Sequence, residues 1–216
     1  MERRKALKHM GWAMGITVAT PTALSLLQSC QQNADTAWIP VFFTEAQGGA
    51  LIQLVDLIIP KTDTPSASEV QVHSFIDSYM KEVPEKPEQD LMTMAFTAFL
   101  NKALKDSGKT EISDLAAEDL EPVLAQSLAQ RSEEEEAAAM ESLGAYMQAV
   151  QEGQPAILDE AVARSMFAGN LRSTVIWAYK TSEFVGEQVL TYLPVPGEYI
   201  GCGDLDQLTG GKAWSI

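Results

Sequence analysis

The chain has 216 residues, 46% of them hydrophobic, and a formal net charge of −15; this is one domain's worth of sequence, long enough to bury about two-thirds of its unfolded surface. Residues 1–30 hold Arg3, Arg4, Lys5 and Lys8 against Glu2, so the remainder is near −18. A body this acidic repels nucleic-acid phosphates and anionic lipid headgroups, which argues against polyanion binding and leaves basic partners open.

The first thirty residues read as a targeting segment: a basic head, an uncharged apolar run over 10–27, then Ser29 and Cys30. Arg3 and Arg4 with Leu7 and Lys8 resemble a twin-arginine export signal, with Ala6 where an aromatic is usual. Leu27-Gln28-Ser29-Cys30 resembles a lipobox, in which Cys30 is acylated and becomes the new N-terminus. A retained transmembrane helix is the alternative, because the uncharged run is close to the spanning minimum. Both readings put the body on the periplasmic side of the cell envelope; the first also anchors it by lipid. Lipidation of Cys30 leaves Cys202 without an internal partner, and an odd cysteine in an exported protein points to an intermolecular disulfide or a free thiol.

Residues 31–43 are expected to be a spacer and 44–216 a single helical domain. Thr44 is a predicted N-cap, followed by Ala46, Ala50, Leu51, Leu54, Val55, Leu57 and Ile58 at helical spacing and a stop at Pro60. The hydroxyls and carboxylate of residues 61–66 predict a loop that caps the next helix, beginning near Ser66, with Val70, Phe75, Ile76 and Tyr79 inward and Val72 at the margin. A helix over 88–107 follows, ended by Gly108. Ser113 or Asp114 starts the next unit, with Asp119 as the other possible cap and Pro122 in the first turn. Glu133, Glu134, Glu135 and Glu136 read as a solvated helix start, favoured by the helix dipole. Pro155 opens the last region, with a predicted break at Gly169 and Asn170 and a second helix over 171–190 that Gly186 weakens. The fold class is all-α: an irregular bundle of about six helices with an extended, Pro/Gly-rich C-terminal arm.

Catalytic signals are sparse. His9 belongs to the leader, and His73 with Asp77 at i+4 lacks a second histidine or thiolate cluster to complete a metal site, so a satisfied or solvent-facing histidine is the simpler reading. No nucleophile elbow, phosphate loop or dinucleotide turn is present in the sequence. No catalytic, metal or cofactor-binding residues are assigned.

Two blocks carry a family resemblance. Leu54-Val55-Asp56-Leu57-Ile58-Ile59-Pro60-Lys61-Thr62-Asp63-Thr64-Pro65-Ser66-Ala67, with Val72 and Phe75-Ile76-Asp77, forms one; Tyr192 with Pro194-Val195-Pro196-Gly197-Glu198-Tyr199 and Gly201-Cys202 forms the other. In both the chain resembles the gluconate 2-dehydrogenase subunit 3 family, the small subunits of membrane-associated flavin-dependent dehydrogenases. It departs from that family at Ser66, where glycine is usual, and in having a lipobox. The resemblance implies a noncatalytic helical subunit that binds a large FAD-dependent sugar or sugar-acid oxidoreductase. Electrons would pass to a cytochrome c, with haem in a further subunit, and no cofactor is bound here. On that reading the arm is the docking strip, with Tyr192, Pro194, Pro196, Gly197, Tyr199 and Cys202 as partner-binding residues and the prolines limiting the entropy lost on binding. The competing expectation is a stand-alone envelope lipoprotein that binds a small ligand or an envelope polymer, its arm covering its own core.

Overall fold

The computed structural model describes residues 38–195, 197 and 202–215. The leader, with Arg3, Arg4 and Cys30, lies outside the described residues, as do Pro196 and Tyr199. The body, from Ile39 onward, is all-α, with six α-helices longer than ten residues among the described residues.

Helix α1 (Glu45–Ile58) begins as predicted, in a reciprocal cap: Gln47 N–H donates to Thr44 Oγ1 at 3.2 Å and Thr44 N–H donates to Gln47 Oε1 at 3.1 Å. Its inner face buries Ala50, Leu51, Leu54 and Val55. Helix α2 (Val72–Glu82) starts six residues later than expected from Ser66. The intervening residues bond back to α1 instead of propagating a helix. Ser68 donates its N–H and its hydroxyl to the Asp56 carboxylate at 2.8 and 2.6 Å, and Ala67 N–H donates to the Ile59 carbonyl at 3.0 Å. The buried face of the helix, Val72, His73, Ile76, Asp77 and Met80, is turned by about one residue from the expected pattern. Val72 becomes core at 1% exposure, and Phe75, expected inward, is 40% exposed.

Helix α3 (Lys86–Ser107) has Pro87 in its first turn and ends at Gly108, whose φ of 71° is left-handed and favours glycine. A 3₁₀ turn (Ile112–Asp114) holds the expected Ser113 and Asp114, and α4 (Ala117–Ser127) follows. Asp119 caps α4 from its third position, accepting Ala116 N–H at 2.7 Å, which puts Pro122 in the second turn rather than the first. Helix α5 (Glu133–Gln151) is capped by Ser132 and Glu135; the four glutamates of its first turn are exposed, and Ala139 is its one buried residue.

The longest correction concerns α6 (Glu160–Thr181), capped by Asp159 and unbroken through Gly169 and Asn170. Ala168 and Leu171 are buried on either side of that pair, so core packing offsets a glycine cost of about 1 kcal/mol. The chain breaks instead at Ser182 and continues as a π-helical turn (Val185–Val189). Gly186 has a role there: a Cβ on it would lie 3.1 Å from Ser215 Oγ, so glycine permits close approach of the C-terminal tail. A short α7 (Leu205–Thr209) leads into that tail, which pairs with Thr191: Thr191 N–H donates to Ala213 O and Ser215 N–H to Thr191 O, both at 2.9 Å. The base of the arm is thus pinned by its own C-terminus.

Helices α3 and α6 form the principal pair, with α1, α4 and α2 packed around them. A run of rings passes through this core: Phe43 against Phe96 at 5.4 Å, Phe96 stacked on Phe167 at 4.6 Å, and Phe167 against Phe99 at 5.3 Å. Phe42 and Phe43, which the sequence reading put in the spacer, belong to this packing. No helix among the described residues is long and apolar enough to cross a membrane.

Candidate docking face

His73 and Asp77 share a face of α2, as their spacing predicts, and both are buried. The Asp77 carboxylate is fully buried and accepts three consecutive backbone N–H groups, from Val41 at 2.6 Å, Phe42 at 3.0 Å and Phe43 at 2.9 Å. Its lone pairs are spent on holding the bent segment ahead of α1, which is a structural task. His73, at 5% exposure, is buried rather than solvent-facing. Burial pushes its pKa below the ordinary value, against the opposing pull of the Asp56 and Asp77 carboxylates.

The surface beside this pair is unusual for its aromatics. Phe75 on α2 and Trp177 on α6 meet edge to face at 5.3 Å, with Tyr79 at 6.1 Å from the first and 6.3 Å from the second. Phe75 is 40% exposed and Trp177 47% exposed, and Ile176 is also exposed. Large rings are normally buried, so an exposed pair in contact is informative where a lone exposed leucine is not.

One turn before Phe75 stands Gln71, the one non-glycine residue with positive φ (63°) among the described residues. Gln71 and Val70 form one wall of an open groove of about 490 Å³; Ser182, Glu183, Phe184 and Glu187, from the break after α6 and the π turn, form the other. A left-handed residue and a π turn therefore face each other across this groove. Pro65, which also lines it, is held by Tyr179, whose hydroxyl donates to the Pro65 carbonyl at 2.8 Å. At its rim Lys61 donates to Glu69 at 2.5 Å, and Ser66 N–H donates to the same carboxylate at 2.9 Å; these two contacts hold the Glu69 pKa below the usual carboxylate range. Ser66 has no positive φ, so this turn closes without the glycine usual in the resembling sequences.

Of the arm residues predicted to bind a partner, Tyr192 and Pro194 are exposed, Gly197 is exposed with φ of 75°, and Cys202 is an exposed free thiol. Phe75, Trp177 and Phe184 were missed as surface residues because their helical spacing places them among true core positions. The signal that could have found them is aromatic density: two large rings on one element opposite a third on another.

An all-α domain with an aromatic face beside an irregular groove is the class these observations define. Residues 45–197 match the family model described as gluconate 2-dehydrogenase subunit 3, and the chain belongs to that family. No significant match was found among curated proteins or among solved structures.

Proposed function

We propose that this chain is a noncatalytic small subunit of a membrane-associated, FAD-dependent sugar or sugar-acid dehydrogenase complex, assisting export, assembly or tethering of the flavoprotein subunit. The observation that carries this reading is the exposed contact of Phe75 with Trp177 inside the family-matched segment. Aromatic anchors dominate the energetics of protein interfaces, and two rings already locked against each other lose little side-chain entropy on docking. The arm extends the same contact role through Tyr192 and Pro194, and Cys202 supplies a thiol for a mixed disulfide with the partner. FAD belongs to the partner and haem c to a further subunit. Arg3 and Arg4 direct export of the folded complex, and acylated Cys30 tethers it on the periplasmic side.

A tagged full-length chain recovered from native membranes tests this reading. It should bring down a large protein with flavin absorbance, whereas a lone monomer would favour a stand-alone lipoprotein and overturn the proposal.

A further inference from the structure

We infer that the groove between Gln71 and the π turn receives a basic segment of the partner, a cationic side chain lying against Glu183, Glu187 and the ring of Phe184. This rests on the docking reading above and names the chemistry that the site recognises. Glu183 and Glu187 are exposed on one wall, four residues apart, and pair with no cation among the described residues. Glu69, on the opposite wall, is already paired with Lys61. The lining also presents apolar surface, from half-buried Val70 and Pro65 and from the Phe184 side chain at 52% exposure. Apolar lining beside two uncompensated carboxylates and an accessible ring suits a guanidinium or ammonium carried on an aliphatic stem. The stem covers the apolar lining, the charge meets the carboxylates, and the ring face adds a cation–π contact. Gln71, Ser182 and Gln188 line the same groove and offer polar groups to a bound backbone. An acidic peptide would meet like charge here, and a purely apolar one would leave both carboxylates to be desolvated without a partner.

The test measures affinity between the full-length chain and the flavoprotein subunit that co-purifies with it, by interferometry at about 50 and about 300 mM salt. The Glu183→Gln/Glu187→Gln pair should weaken binding about tenfold at the lower salt and flatten the salt dependence. Glu133→Gln/Glu134→Gln, the same charge change at the start of α5, should leave both unchanged. Because Glu183 and Glu187 are exposed, an unaltered melting temperature shows that any loss is not misfolding. Unchanged affinity in the groove variant, or an equal loss in the α5 control, overturns the inference while leaving the subunit reading intact. Failure of the wild-type chain to recover any flavoprotein overturns the subunit reading and this inference with it.

Discussion

The Asp77 carboxylate accepts the backbone N–H of Phe43, 34 residues earlier in the chain, at 2.9 Å, and the same group holds Phe42 and Val41. This grip seats the Phe43 ring against Phe96 in the core, so one side chain couples the entry of the domain to α2 and to the aromatic run. Asp77→Ala leaves three N–H groups without their acceptor and should destabilise the fold by about 3 kcal/mol or more. Asp77→Asn, which keeps one acceptor oxygen, should fall between the two. Urea unfolding measures both, and an alanine variant as stable as wild type would show that the grip contributes nothing.

His73 gives the fold a pH dependence near neutrality. Its pKa is lowered from the ordinary 6.5 by burial, so in the window just below that value the unfolded chain takes up a proton that the folded chain refuses. Stability from this group is therefore full above about 6.5 and declines as the pH falls toward the folded pKa. Glu69, Asp119 and Glu135 are also lowered, held chiefly by Lys61, by Lys109 and by the Ser132 N–H. Their contributions are lost only below the ordinary carboxylate range, so the two windows are separate. Urea midpoints measured from about pH 7.5 down to about pH 5 should fall for the wild type and fall less for His73→Gln. Equal slopes would remove His73 as the cause.

Local signals carried much of this architecture, and tertiary ones overrode the rest. Thr44 ahead of α1, Gly108 after α3, and the glutamates opening α5 were readable because end signals act within one turn. The start of α2 was not, because the deciding contact joins Ser68 to Asp56, on the preceding helix. Gly169 reads as a breaker in isolation, but burial of Ala168 and Leu171 settles the matter. The π turn at Val185 lies against a tail some thirty residues later, a contact which no periodicity encodes. The site suffered from the same blindness: α2 buries the face of Val72, His73, Ile76, Asp77 and Met80, which leaves Phe75 at the surface.

Gln71 holds φ of 63°, a conformation that costs a side-chain-bearing residue about 1 kcal/mol and costs glycine almost nothing. Its side chain is exposed, so little packing is lost on removing it. Gln71→Gly should accordingly raise the melting temperature by a few degrees, about 1 kcal/mol for a domain of this size. A lower melting temperature would mean that the Gln71 side chain contributes more in the groove wall than its backbone costs.

Trp177 distinguishes stability from recognition. Its ring is 47% exposed and its neighbours Phe75 and Tyr79 would keep each other's company without it, since their rings lie 6.1 Å apart. Trp177→Ala should cost the isolated chain about 3 kcal/mol, the half of the ring that is buried plus its aromatic contacts. At an interface the same truncation removes an anchor and exposes the partner's matching pocket, which costs about 2 kcal/mol or more, some thirtyfold in affinity. Thermal melting of the free chain beside its affinity for the co-purified flavoprotein separates the two effects. A variant that melts far lower but binds in proportion to its folded fraction would assign Trp177 to the fold alone, and an unchanged affinity would move the docking surface away from this face.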